Sequence, residues 1–475
     1  MFKPSSLSKN FTEGALFTKI ILFALPIMFT GVLQNLYNIA DHIIVGQFSG
    51  DPLALAAVGS TASLTSIVVN LLVGISAGTG VVVAQSYGAK NYDMVSKISH
   101  TSLAFAAIGG IGFCLFGCLI SRPTLILMGT KPELLDAANL YMCIICAGIP
   151  ASAVMNFGAA SIRSSGDSKT PMIIFTLSGL VNVIFNLLFV ISFGMSVDGV
   201  ALATIISQYM SAAAIVVIMY KRRSEAYALQ FKELKIRRRE LSMVLRYGVP
   251  AALQGAMYGI SNIFISSAAN VFTTVEISAR TIAGNVDGIL YSSINSYQHA
   301  AMTVTAQNYG AGKYNRINKT LVYTLLQAVV IAIGLGQILL VLADPIMSMF
   351  VAPADPNRTA VLATGMDLLV LMLNTYFIIG FMEVLSGIMR GLGYSVLPTV
   401  ISVCGICGIR TLWVSTIFKI PAMRTLVGLY TVYPVSWFVT SLAFAVACIF
   451  AWKKLGRIRK SSEKSLELQE IKQSV

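Results

Sequence analysis

Long stretches without a charged residue dominate the chain and give its first prediction. No Asp, Glu, Lys or Arg occurs between residues 51 and 90, between residues 97 and 122, or between residues 424 and 453. Each stretch exceeds the roughly 20 residues that an α-helix needs to cross the hydrocarbon of a bilayer. Because backbone polar groups in lipid must bond within the chain, these stretches are predicted to be transmembrane helices.

The alternation of apolar runs and polar interruptions predicts an all-α integral membrane protein with twelve transmembrane helices. The predicted spans are 16–46, 53–83, 94–121, 133–161, 170–193, 198–220, 242–270, 275–304, 317–343, 360–389, 396–418 and 427–452. Composition supports the membrane class, since 56% of the residues are apolar and only 11% are charged. A soluble domain carries about 25% charged residues.

Three segments of the first half recur in the second half at nearly constant separation. The pairs are AQSYGAKNY (84–92) with AQNYGAGKY (306–314), LPIMFTGVLQNLYN (25–38) with VPAALQGAMYGISN (249–262), and RSSGDSKTP (163–171) with RGLGYSVLP (390–398). Each half carries six predicted spans, an even number, so both halves insert with the same orientation and form a parallel repeat. Such a duplication predicts a transporter whose substrate lies between two lobes.

Lysine and arginine are concentrated on one side of this predicted topology, and the positive-inside rule assigns that side to the cytoplasm. Both termini lie on it, so we expect a multi-pass plasma-membrane protein with both termini in the cytoplasm. The formal net charge of +14 follows from this bias and favours contact with anionic membrane lipid. The basic residues are spread over short loops, so nucleic acid is not a predicted partner.

The expected organisation is an N-terminal six-helix lobe (1–220), a cytoplasmic inter-lobe linker (221–241), a C-terminal six-helix lobe (242–452) and a cytoplasmic tail (453–475). The linker is the one long polar connection, and an amphipathic helix on the inner membrane face is one structure open to it. The seven cysteines lie mainly in apolar spans, and no histidine adjoins either CxxC pair. Neither a structural metal nor a disulfide is predicted.

A polar stripe on span one is the first candidate site. Gln34, Tyr37, Asn38 and Asp41 follow spacings of three, four and seven residues, which places them on one helical face. An ionisable group within a span is costly and is therefore a functional candidate. We expect Asp41 to couple a cation to transport. A cluster that only hydrogen-bonds neighbouring helices is the structural alternative.

The second half keeps the polar face of this stripe but lacks the acid. The repeat places Tyr258, Ser261, Asn262 and Ile265 opposite the four stripe residues. Cation chemistry at this depth is therefore predicted for the N-terminal lobe. Spans five and six supply candidate partners, namely Asn182, Asn186 and Thr204. Together with the Asp41 carboxylate, their amide and hydroxyl oxygens could coordinate Na⁺ or hydrogen-bond to the protonated acid. Polar packing between helices, without any bound ion, would account for the same residues.

Glu383 and Asp287 are the acidic candidates of the second half. Glu383 has Asn156 as its repeat partner, so a polar residue occupies this depth in both lobes. Both acids are predicted to line the substrate cavity or to form a second protonation site. The same prediction covers the polar residues Gln34, Asn38, Asn156, Tyr258 and Asn262. For Glu383, an ion pair with Arg410 is the structural alternative. For Asp287, the structural alternative is a bond to Asn285 or to neighbouring helices.

The two AQxYGA copies are predicted to end spans two and eight, with Gly88 and Gly310 as C-terminal caps. We interpret them as structural corners that could act as gate elements, with substrate contact as the alternative. Neither copy contains the GxxxxGK[ST] pattern of a phosphate-binding loop. The chain shows no ATPase domain, and no ATPase subunit is expected.

Together these motifs resemble the multidrug and toxic compound extrusion (MATE) family. The resemblance covers about residues 15–455 and rests on NLYNIADHIIVGQFSG in span one, on VVAQSYGA with VTAQNYGA, and on RSSGDSKTP with RGLGYSVLP. It implies a V-shaped pair of six-helix lobes. It also implies outward transport of amphiphilic, often cationic small molecules in exchange for H⁺ or Na⁺.

The resemblance also carries over individual residues. In the bacterial branch whose ion site lies in the N-terminal lobe, the central span-one aspartate corresponds to Asp41, with Tyr37 one turn before it. The span-six threonine of that branch corresponds to Thr204. Its span-five pattern is Asn-x-x-x-Asp, whereas this chain has Asn182 followed by Asn186. Another branch carries a span-seven glutamate at the position that Tyr258 occupies here.

The expected function is therefore secondary active multidrug efflux by alternating access, carried out by a monomer without a cofactor. The alternative is a lipid-linked precursor flippase or lipid exporter of the related superfamily, whose cavities are strongly cationic. Arg410 is the only clear mid-span base in this sequence. An enzyme is not expected, because the three histidines, at positions 42, 100 and 299, are scattered.

Overall fold

A computed structural model describes residues 10–48, 54–351 and 355–474 of the chain. Within these ranges, the side chains of 41–43, 45–48, 54–60, 62, 63 and 458–474 lie outside the description. The predicted cation-coupling residue Asp41 belongs to this group, so the structure gives the course of its helix and nothing about its carboxylate.

The described chain is a succession of α-helices with short interruptions. Its helices are α1 (Leu16–Phe48), α2 (Ala54–Gly88), α3 (Tyr92–Leu127), α4 (Pro132–Ser164), α5 (Lys169–Leu187), α6 (Val197–Lys221), α7 (Arg238–Ala269), α8 (Thr274–Gly310), α9 (Tyr314–Val341), α10 (Ala343–Ser348), α11 (Arg358–Gly391), α12 (Val396–Ser402), α13 (Ile409–Ser415), α14 (Leu426–Tyr430) and α15 (Val432–Ser474). A π-helical turn extends α5 over Leu188–Ser192, and another joins α12 to α13 over Val403–Gly408.

Ten helical segments of the described chain are long and apolar enough to cross a membrane by length and composition. The two predicted spans outside this group are α7 and α8, which have 32 and 37 residues and so have the necessary length. They carry more polar residues than the other spans. Both pack against helices of the other half, and both contribute polar side chains to a cavity. Twelve long segments therefore correspond to the twelve predicted spans.

The two halves meet along α2, which packs against α7 and α8, and along α1, which packs against α8. Small residues make the α2–α7 contact close. A methyl group added at Gly74 would lie 2.3 Å from the Cα atom of Ala252, and one added at Gly78 would lie 2.2 Å from the carbonyl oxygen of Val244. Phe11, which precedes α1, and Phe23 of α1 pack into the apolar core of the second half, and both are fully buried. One helix thus contributes to both halves.

The segment between α6 and α7 is not an amphipathic helix. It is an irregular chain with one short 3₁₀ turn at Phe231–Glu233. Its residues 226–229 are buried against the first half, and Tyr227 is fully buried. The guanidinium of Arg222 donates to the fully buried carboxylate of Asp167 at 2.8 Å and to the phenol oxygen of Tyr227 at 3.0 Å. Tertiary contacts, rather than a helical period, therefore fix this linker.

Candidate functional site

The two AQxYGA copies contact each other at one end of the molecule, which we call the closed end. Gln85 of α2 donates its side-chain amide to the carbonyl oxygen of Gly391 at the end of α11, at 3.0 Å. Gln307 of α8 donates to the carbonyl oxygen of Ser164 at the end of α4, at 2.8 Å. Gly391 and Ser164 are equivalent in the repeat, so each half closes on the other through the same bond.

Glycine is required at the last residues of α2 and α8. A methyl group added at Gly88 would lie 1.9 Å from the carbonyl oxygen of Gln307, and one added at Gly310 would lie 1.9 Å from that of Gln85. The predicted role as helix caps is wrong, because the positive φ angles occur two residues later, at Lys90 and Gly312. These glycines instead allow two helix ends to touch.

Between the halves, on the other side of this seal, lies a central cavity of about 220 Å³. Its walls come from α1, α2, α4, α5 and α8. Two of the predicted cavity residues, Gln34 and Asn156, line it together with Arg163 and His299. The side-chain amide of Asn156 donates to the carbonyl oxygen of Ser152 at 2.8 Å. A third predicted residue, Asn38, is exposed on the same helix as Gln34.

Three of the predicted coupling residues of the first half, Asn182, Asn186 and Thr204, form a connected polar group. Asn186 donates to the side-chain oxygen of Asn182 at 3.4 Å, and Asn182 donates to the hydroxyl of Thr204 at 3.4 Å. Both asparagines are buried. Tyr37 of α1 donates to the carbonyl oxygen of Thr176 on α5 at 3.2 Å. The group offers amide and hydroxyl oxygens, the donor type that hard cations prefer.

A larger cavity of about 490 Å³ lies inside the second half. This C-terminal cavity collects four of the predicted residues, namely Tyr258, Asn262, Asp287 and Glu383. They come from α7, α8 and α11. In the sequence, only their similar predicted depths in the membrane suggested that they would meet. The volume lies within the ~300–1,000 Å³ range of small-molecule sites.

The two acids of this cavity have different surroundings. Glu383 is 3% exposed and accepts a hydrogen bond from the side-chain amide of Gln298. One carboxylate oxygen of Asp287, Oδ1, is buried and has no hydrogen-bond partner among the described residues. The ion pair considered for Glu383 does not form. Arg410 donates to the side-chain oxygen of Asn262 at 3.1 Å, and no described carboxylate lies within 4.0 Å of its guanidinium.

Sequence reasoning missed most of the remaining cavity wall. Tyr291 lines both cavities and therefore separates them. Arg280 of α8 also lines the C-terminal cavity and is not among the residues that the sequence analysis singled out. The signal was present, because Arg280 lies seven residues before Asp287 and so on the same face of α8.

A scan against protein families matches the MatE family model to residues 26–188 and again to residues 250–414. The two matches cover the two halves of the repeat. The apolar helices and this match define a multi-span membrane transporter. The chain belongs to the MATE family.

Named relatives and a solved structure are similar over most of the chain. The probable multidrug resistance protein YoeA of Bacillus subtilis is 26% identical over 452 residues, covering 93% of this chain and 96% of that protein. A protein of Shewanella oneidensis named FAD transporter is 24% identical, over 68% of this chain and 71% of its own. An outward-facing multidrug resistance MATE family transporter of the MOP superfamily superposes with a TM-score of 0.87 at 20% identity, covering 96% of this chain and all of that one.

Proposed function

We propose that this protein is a secondary active antiporter that exports amphiphilic, often cationic compounds in exchange for H⁺ or Na⁺. It works in the plasma membrane, as a monomer, with both termini in the cytoplasm and without a cofactor or an ATPase subunit. The observation that carries the proposal is the reciprocal seal of Gln85 and Gln307 next to a cavity between the halves. An alternating-access transporter needs such a seal at one end and must break it to open that end.

The name of one relative widens the range of cargo. FAD carries phosphate groups, so membership of the family does not restrict the cargo to cations. The residues that line this chain's own cavities therefore determine which substrate charge it accepts.

Coupling requires the ion and the substrate to favour different states of the two halves, because a ligand with equal affinity for both states shifts nothing. We assign the ion to Asp41 with Tyr37, Asn182, Asn186 and Thr204. The asparagines and Thr204 are already linked by hydrogen bonds. A change in their ligation would alter how α5 and α6 pack against α1. One charge moved down the membrane potential supports roughly tenfold accumulation per ~60 mV.

The test is efflux of a cationic dye from reconstituted vesicles, with a pH gradient and a Na⁺ gradient imposed separately. Gradient-driven efflux is expected for the wild type and is expected to be lost in Asp41→Asn. The matched control is Asp136→Asn, because Asp136 is an exposed acid in an ion pair with Arg122. Full gradient-driven efflux by Asp41→Asn would show that the coupling ion does not bind at Asp41 in the first half. An absence of dye movement under either gradient would favour the lipid-linked substrates of the alternative.

A further inference from the structure

Two arginines line the C-terminal cavity without a carboxylate partner. Arg280 donates from Nε to the hydroxyl of Tyr430 at 2.6 Å and from a terminal nitrogen to the hydroxyl of Ser266 at 2.5 Å. Arg410 donates to Asn262 at 3.1 Å. Among the described residues, no carboxylate oxygen lies within 4.0 Å of either guanidinium.

An aromatic pair connects the two arginines. The guanidinium carbon of Arg410 lies 4.1 Å from the centre of the Tyr433 ring. That ring stacks on Tyr430 with centroids 5.2 Å apart and an interplanar angle of 19°. Arg280 holds the hydroxyl of Tyr430. The two positive charges therefore flank one stacked pair of rings in the same cavity wall.

This arrangement is costly unless a further group enters the cavity. Arg410 is 6% exposed, and its Nε–H is buried without a hydrogen-bond partner among the described residues. A buried donor without a partner costs free energy, and arginines inside a membrane protein normally pair with acids or backbone carbonyls. Tyr433 and Asn262 compensate this charge only in part.

Two acids line the same cavity and yet leave both arginines unpaired. Asp287 lies two turns after Arg280 on α8, and its Oδ1 has no partner among the described side chains. Glu383 is bonded to Gln298 instead. A purely structural role for the arginines would be served best by an ion pair with these acids. Instead, both arginines of the cavity lie more than 4.0 Å from its acids, which suits a ligand with a charge of its own.

We infer that the C-terminal cavity is a binding subsite for the anionic group of an aromatic amphiphile, such as an aryl carboxylate or sulfonate. Arg410 and Arg280 would bind the anion, since a guanidinium presents several N–H donors in a fork that matches such groups. The edge-packed rings of Tyr376 and Trp437, 5.4 Å apart, continue the aromatic wall for the apolar body. This inference deepens the proposed export function and rests on it for its biological meaning.

The test compares two probes that share one aromatic body, namely 2-naphthalenesulfonate and trimethyl(2-naphthyl)ammonium. Each is radiolabelled, and its equilibrium binding to the full-length protein in nanodiscs is measured for the wild type, Arg410→Gln, Arg280→Gln and Arg410→Lys. Saturable sulfonate binding is expected for the wild type. Either glutamine variant should weaken it roughly tenfold to hundredfold, the range for a hydrogen bond to a charged group. Binding of the ammonium probe should not weaken.

Matched controls separate charge from folding. Arg424→Gln removes an exposed arginine of the same half that does not line the cavity, and it should leave both probes unaffected. Arg410→Lys keeps the charge without the fork, so its sulfonate affinity should lie between those of the wild type and Arg410→Gln. Equal sulfonate affinity in the wild type and both glutamine variants, or no saturable sulfonate binding, would overturn the inference. Displacement of the sulfonate by equimolar chloride would also overturn it, since the site would then bind a simple anion.

Failure here and failure of the export function give different results. If cationic-dye efflux is gradient-driven but the sulfonate does not bind, the subsite is wrong and the antiporter stands. If the sulfonate binds through Arg410 but no gradient moves dye, the subsite stands and the antiporter fails.

Discussion

Alanine at Gly88 or Gly310 should open the closed end. The added methyl group would lie 1.9 Å from a backbone carbonyl oxygen of the facing helix, against at least 3.4 Å for ordinary contact. The helix ends must therefore separate by roughly 1.5 Å, because a backbone atom cannot rotate away as a side chain can. Overpacking of this kind costs about 1–3 kcal/mol, which corresponds to a roughly five- to hundredfold shift of population away from the closed state.

The shift can be measured by pulsed electron paramagnetic resonance between spin labels at Asp93 and Lys319, in a background without native cysteines. Both positions are exposed and lie near the closed end, Asp93 in the first turn of α3 and Lys319 in the second turn of α9. The distance distribution should broaden and move to longer distances in Gly88→Ala and Gly310→Ala. Gly334→Ala is the control, since a methyl group there meets nothing within 4 Å. Unchanged distances in both variants would refute the reasoning.

Two further substitutions test other contacts. Asp167→Asn removes the acid from its pair with Arg222, in which the carboxylate is fully buried. The variant should lose about 3 kcal/mol of folding stability, measured as a lower thermal unfolding temperature and faster proteolysis of the linker. Asp93→Asn, in an exposed pair, should change neither. Gly179→Ala places a methyl group 1.7 Å from the ring of Tyr37. It should displace that ring and reduce gradient-driven efflux while the protein still folds. Efflux at the wild-type rate would show that Tyr37 has no role in coupling.

The membrane depth of ionisable residues and the internal repeat of the sequence made much of the fold and part of the site predictable. Charge-free stretches locate helices because lipid excludes unpaired polar groups, and the helix bounds follow the predicted spans closely. Asp287 and Glu383 were identified because an acid within a span is costly, and the structure places both in one cavity. The Asp41 carboxylate stays a prediction, since it lies outside the described side chains.

The remaining features depend on contacts between distant segments. The linker was open to a helix by composition, yet Tyr227 enters a pocket of the first half and bonds to Arg222. Burial raises the pKa of the Tyr227 phenol, so the group stays neutral and accepts this bond. Gly88 looked like a helix cap, because a sequence does not show that another helix end approaches it within 1.9 Å.

The symmetry of the closed end contrasts with the asymmetry of the two halves' chemistry. The seal uses equivalent residues, because Gln85 and Gln307 each donate a hydrogen bond to the end of a helix in the other half. The polar group around Asn182 belongs to the first half, whereas the cavity with its arginines and acids belongs to the second. Two ligands that bind in different halves need not touch in order to compete. Each can act on the shared seal, and linkage then requires that each weakens the binding of the other by the same factor.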